Sequence, residues 1–214
     1  MKSNFREWTL DKIEQTFGLN QVWEMPLLDE WLDFQYEITA YERQYLLQMQ
    51  ELFKLGGDEW NEAELENKFI GPVIVFSGID NKRFAYFLER DIEITIGEYE
   101  LAGKVDGLIA TGFRSPRLPY FCMAEYKRGT DPNGDPKGQA LIAMLAAQHI
   151  NNTQNPDRPK PIFGSYIIGR SWYFMLLVGK EYAISKDFSC ADNELFDIFR
   201  ALKGLRWHIE QLLD

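Results

Sequence analysis

The feature that most constrains this chain is a change of texture at Arg83. Upstream, apolar residues recur at helical spacing: Trp8, Ile13 and Phe17, then Leu28, Trp31 and Leu32, then Tyr45, Leu46, Met49, Leu52 and Phe53. Gly56 and Gly57 end that region, and a further helix opens at Glu59 to Glu62 and runs through Leu65, Phe69 and Ile70 until Gly71 and Pro72 break it or start a new turn. From Arg83 the chain reads RFAYFLERDIEITI, YELAGKVDGLIATG and PYFCMAEYKRG, segments rich in aromatic and β-branched residues and separated by turns. Three consecutive strands are expected. The Gly, Pro, Asp and Asn of TDPNGDPKG predict a loop, QALIAMLAAQHI a compact Ala-rich helix, and NNTQNPDRPKP its stop. IFGSYIIGR and SWYFMLLVGKEYAI then read as two strands joined by a tight turn at Gly169 to Ser171. An amphipathic helix from about Asp192 closes the chain, with Leu195, Phe199, Leu202, Leu205 and Ile209 on one face. This order predicts an α+β fold, a mixed central sheet flanked by helices. We expect residues 1–58 to form an N-terminal helical extension and residues 59–214 one compact domain.

Composition narrows the function classes. An apolar content of 45% with 14% aromatics suits a globular protein, and no uncharged apolar run of about 18 residues is present to span a bilayer. The N-terminus MKSNFREWTLDKIEQ carries charges where a signal peptide needs an apolar stretch, and the two cysteines, Cys122 and Cys190, make no disulfide framework. A cytoplasmic location is expected. The formal net charge of −10 argues against a broad nucleic-acid surface, although a metal-dependent nuclease concentrates carboxylates and lets cations neutralise them.

The chemistry gathers on the third strand. Alternation puts Phe121, Met123, Glu125 and Lys127 on one face and Cys122, Ala124 and Tyr126 on the other. Two ionised groups inside an apolar strand cost several kcal/mol to bury unless paired or metal-bound. The preceding strand carries KVDGL, in which Asp106 is the acid of an apolar run; beside Glu125 it would give two carboxylates converging on a hard cation. The competing reading is a cross-strand ion pair that contributes little.

The order of a glutamate helix, a strand with Val105-Asp106, a strand with Glu125-Tyr126-Lys127 and a helix opening at Gln139 resembles the PD-(D/E)XK, restriction-endonuclease-like nuclease superfamily. The stretch NEAELENKFIGPVI also resembles the helix that precedes the nuclease core in motor subunits of type I restriction enzymes. The resemblance covers roughly residues 60–180, and valine stands where the family has proline before the aspartate. It implies a restriction-endonuclease-like sheet. It also implies that Asp106, Glu125 and the Tyr126 carbonyl ligate Mg²⁺ (or Mn²⁺), with Lys127 orienting or activating the attacking water. Glu62 matches the helical glutamate best, and Glu66 lies one turn on along the same face. The alternative for Glu62 is an exposed acid favouring the helix macrodipole. Gln139 would contact the lysine or a phosphate, and Lys104, Arg128 and Lys137 are candidate phosphate contacts, with Arg114 and Arg117 in the turn between the two strands.

The function so implied is metal-dependent hydrolysis of phosphodiester bonds, in DNA. The rival is a catalytically inactive nuclease-fold protein that binds or assembles, using the N-terminal helices to meet a protein partner or a second copy. A small-molecule hydrolase with a carboxylate pair is a third class. No GxGxxG or GxxxxGK[ST] sequence occurs, so the usual nucleotide fingerprints are missing. His149 and His208 lack a second ligand at metal spacing.

Overall fold

The computed structural model describes residues 1–127, 135–154 and 160–214. Its first part alternates short strands with helices: β1 (Lys2–Asn4), a 3-10 turn (Phe5–Glu7), α1 (Leu10–Phe17), β2 (Asn20–Gln21), α2 (Pro26–Leu32) and α3 (Ala40–Gly56). Side chains fix the helix starts. Thr9 accepts from the Lys12 amide at the head of α1, and Thr39 and Glu42 form a reciprocal capping box at the head of α3. A second capping box, Asn61 with Glu64, opens α4 (Glu62–Leu65), which continues through a π turn (Glu66–Ile70) into α5 (Gly71–Phe76). Gly71 and Pro72 therefore begin a new turn without ending the rod. Pro72 has no N–H for the Lys68 carbonyl, and the wider π turn, closed by the Gly71 amide on the Glu66 carbonyl, absorbs that mismatch.

Three long strands follow, β3 (Phe84–Ile96), β4 (Tyr99–Thr111) and β5 (Arg117–Lys127), then α6 (Pro136–Gln154), β6 (Ile162–Ile168), β7 (Ser171–Val178), β8 (Glu181–Ile184), β9 (Phe188–Ser189) and α7 (Glu194–Leu213). Among the described residues, nine strands form one mixed sheet whose long dimension runs β3, β4, β5, β6, β7, β8, β2. β3 to β5 are antiparallel neighbours, whereas β6 lies parallel to β5 because α6 carries the chain back across the sheet. β3 covers one edge of β4 from end to end, so β1 and β5 divide the other: β1 takes Glu100 to Ala102 and β5 takes Gly107 to Thr111.

Each face of the sheet is covered. On one, α2, α3, α5 and α7 enclose Trp31, Phe69, Phe163, Trp172 and Phe199, and the buried Trp31 indole donates to the Ala201 carbonyl at 2.8 Å. On the other, α1 and α6 enclose Trp8, Leu101, Met144, Tyr166 and Met175. Helix α6 is buried from Gly138 to Gln148, the pattern of a helix apolar all round.

The α+β class read from the sequence is the class observed, with helices on both faces of a mixed sheet. Two local expectations are corrected. Residues 1–60 are not helical throughout, because β1 and β2 join the sheet beside β4 and β8. SWYFMLLVGKEYAI is not one strand but the hairpin of β7 and β8: Gly179, at φ 61°, reverses the chain where a β-branched residue would be strained. No helix among the described residues is long and apolar enough to cross a membrane.

Candidate active site

The candidate site is built where β4 and β5 part. Their ladder pairs Leu108 with Met123 and Gly107 with Ala124; one step further the register sets Asp106 opposite Glu125. At that step the backbone ladder gives way to a side chain, since an Asp106 carboxylate oxygen accepts the Tyr126 amide at 2.7 Å. Asp106, Glu125 and Lys127 thus come to one place by strand pairing alone, as the alternation in the sequence predicts.

Lys127 ties this group together. Its ammonium lies 2.9 Å from Glu125 and 3.2 Å from Glu62 and donates to the Tyr126 carbonyl at 3.0 Å. Glu125 and Lys127 are only 5% and 6% exposed, so the pair is an interior one, as the Glu42–Lys203 pair largely is, and unlike the exposed bridges such as Lys2–Glu100. Glu62 reaches in from the first turn of α4 with its side chain 42% exposed, which makes it the member nearest solvent.

The electrostatics are those of crowded negative charge. Burial pushes the Glu125 carboxyl up to about 7, the Asp106 charge adding to the effect and Lys127 opposing it. Burial also raises Asp106, against the Tyr126 amide and Lys127. For Lys127, burial alone would lower the ammonium pKa; attraction to Glu125, the hydrogen bond between them, and the charges of Asp106 and Glu62 outweigh it. Glu66, at the head of the π turn, is raised by burial and by the charges of Asp106, Glu89 and Glu62. Its Oε1 is buried without a hydrogen-bond partner. Both helical glutamates weighed from the sequence therefore act on the site: Glu62 binds Lys127, and Glu66 shares a field with Asp106.

Two contributors were not read from the sequence. Glu89 stands opposite Asp106 in the unshifted β3–β4 register at φ 49°, the one non-glycine left-handed residue among those described, and such strain concentrates at functional sites. Arg6 lies on the 3-10 turn that Phe5 and Trp8 seat against β4 and α6, and its charge acts on the Asp106 carboxyl. No pattern in the sequence signals either residue, because each is placed by tertiary contact. Behind the rung, the hydroxyls of Tyr86 and Tyr126 are hydrogen-bonded at 2.7 Å.

The remaining candidates fall as follows. Gln139 is buried in the first turn of α6, and its amide nitrogen has no partner. Lys104 is paired with Glu89 at 3.4 Å. Lys137 is exposed at the start of α6, and Arg128 lies outside the described residues. Arg114 is exposed in the β4–β5 turn and Arg117 opens β5. His149 is exposed, His208 packs beside the Phe163 ring, and both cysteines are buried thiols.

Among the described residues, no three Asp, Glu, His or Cys side chains stand close enough to hold a metal ion as arranged, because Lys127 fills the space between Glu125 and Glu62. The donors are nevertheless of the oxygen kind a hard cation takes: Glu62 and Glu125 contact the Lys127 ammonium, the charges of Glu66 and Asp106 act on one another, and one buried Glu66 oxygen has no hydrogen-bond partner. Cavity size does not mark this chemistry. A cleft of about 960 Å³ between α2, α7 and β8, with Trp23, Tyr36 and Arg200 in its wall, includes none of these carboxylates. No known family model matches the chain. No curated protein matches it either.

Proposed function

We propose that this chain is a divalent-metal-dependent nuclease of the restriction-endonuclease-like kind, hydrolysing phosphodiester bonds in DNA. The observation that carries the reading is the convergence of Asp106, Glu125 and Lys127 on one buried rung where β4 and β5 separate. The element order supports it: a glutamate-bearing helix, three antiparallel strands, a helix and a strand parallel to the third. Fold alone would not argue activity, so the intact acid, acid and lysine set is what matters.

Asp106, Glu125 and the Tyr126 carbonyl would hold Mg²⁺ or Mn²⁺, with Glu62 or Glu66 completing the oxygen set. Such an ion supplies positive charge at the phosphate and lowers the pKa of a water. Lys127 orients the attacking water and stabilises charge developing on the phosphate, its position fixed by Glu125 and Glu62. Gln139, buried in the first turn of α6 with an unpartnered amide nitrogen, would contact a phosphate oxygen through that N–H or Lys127 through its carbonyl oxygen.

A second reading, an inactive binding protein on the same fold, is favoured by one feature: Lys127 is already engaged by two carboxylates and a carbonyl, in a chain of net charge −10. Calorimetric titration with Mg²⁺ and Mn²⁺ separates the two. Binding that disappears in Asp106→Asn supports the nuclease; no binding by the wild-type chain overturns it.

A further inference from the structure

Among the described residues β3 pairs with β4 alone, and against its other edge runs a groove of about 560 Å³. Asp80, Lys82, Tyr86, Arg90, Phe113 and Arg114 supply its walls. Three cations there face one acid, and the Asp80 carboxylate is occupied by the Tyr86 amide at 2.8 Å. None of the three cations enters an ion pair among the described residues. Arg90 instead lies over the Phe87 ring, 5.7 Å from its centroid. Phe113 projects from the rim and is 80% exposed.

The groove's position gives it a purpose. From Ala85 to Arg90 the edge extends about 16 Å at the rise of a strand, room for several nucleotides. Arg90 follows Glu89, the residue opposite Asp106, so the groove ends beside the candidate site. Tyr86 lines the groove and hydrogen-bonds Tyr126, whose amide holds Asp106. An exposed aromatic ring among unpaired cations is the combination that grips an unpaired strand, charges on phosphates and ring on base.

We infer that the groove along β3 binds the sugar-phosphate backbone of a single-stranded segment of nucleic acid leading from the scissile phosphate, with Lys82, Arg90 and Arg114 on phosphates and Phe113 stacked on a base. This rests on the nuclease reading for what happens at Asp106, but not for the binding itself. It also reconciles an acidic chain with a polyanionic substrate: affinity comes from one short cationic track.

The test measures binding of a short fluorescent single-stranded oligonucleotide to the full chain in EDTA over a series of salt concentrations. Three phosphate contacts contribute about −2 to the slope of log affinity against log salt for a single strand. K82Q/R90Q/R114Q should therefore lose about 2 units of slope and bind at least about tenfold more weakly at low salt. K82Q/R114Q, altered only at exposed positions, should lose about 1.4 units, which keeps the test sound if Arg90 proves necessary for folding. Unchanged slope and affinity in both variants overturn the inference, as does a wild-type chain that binds no oligonucleotide, or one that binds polyglutamate equally well. If the groove variants weaken binding while the wild type cleaves nothing with Mn²⁺, the groove stands and the nuclease reading falls; if the wild type cleaves and the variants bind and cleave equally, the reverse holds.

Discussion

Glu125→Gln should stabilise the metal-free fold at alkaline pH, although it removes a charged partner of Lys127. In the folded chain burial and the Asp106 charge lift the Glu125 carboxyl from an ordinary 4.5 to about 7. A carboxyl raised on folding stabilises the native state only while it keeps its proton. The contribution is full below pH 4.5 and is lost as pH rises through 7. The span between the two values, at about 1.4 kcal/mol for each pH unit and with the opposing pull of Lys127 already in it, sets an expectation of about 1–3 kcal/mol. Glutamine keeps the shape and cannot ionise. Urea unfolding in EDTA, followed by circular dichroism at pH 5 and pH 8, should show the variant gaining about 1–3 kcal/mol on the wild type between the two conditions. Mg²⁺ at about ten times its Kd should then return about 1.4 kcal/mol to the wild type and little to the variant. A stability difference that is flat with pH, or that shifts toward the wild type at pH 8, would refute the picture of crowded charge.

Three further outcomes test the frame that holds the site. Burial disfavours the Glu42 carboxylate, but the Thr39 amide, Lys203 and Tyr36 outweigh it and bring the pKa to about 2. That stability is present above pH 4.5 and lost as pH falls toward 2, so Glu42→Gln should cost about 1–2 kcal/mol at pH 7, discounted for solvent screening, and about half as much at pH 3 in urea titrations. Asn151 accepts the Tyr120 amide at 2.9 Å and donates to the Tyr120 carbonyl at 2.7 Å, replacing a strand partner for β5. Asn151→Ala should cost about 1–3 kcal/mol and speed hydrogen exchange at the Tyr120 amide. A Cβ on Gly107 would meet the Tyr126 hydroxyl and the Tyr86 ring at 2.8 Å, so Gly107→Ala should lower stability by about 1–3 kcal/mol in thermal melts and disturb the neighbouring Asp106.

What the sequence made legible was whatever depends on strand alternation and element order. Glu125 and Lys127 share a face because they are two residues apart, and Asp106 reaches them because β4 and β5 are sequential antiparallel strands. The two helical glutamates stayed unresolved for a physical reason: one α-helical turn apart on the same face, both come to the site, Glu62 meeting Lys127 while the Glu66 carboxyl feels the charges of Asp106 and Glu89. Glu89 and Arg6 were invisible because a strained backbone angle and a turn anchored by Phe5 and Trp8 are tertiary consequences. β1 and β2 are too short to carry a periodic signal, and they form because neighbouring strands offer open edges.

The central claim is that Asp106, Glu125 and Lys127 form a metal-dependent phosphodiesterase site. Its most direct test is incubation of the purified chain with plasmid, linear duplex and single-stranded DNA plus Mn²⁺, beside Lys127→Ala and an EDTA control. The account predicts cleavage by the wild-type chain of at least one substrate, abolished by EDTA and reduced by a hundredfold or more, about 2.7 kcal/mol of barrier, in Lys127→Ala. Equal cleavage by Lys127→Ala, or cleavage that persists in EDTA, would contradict it.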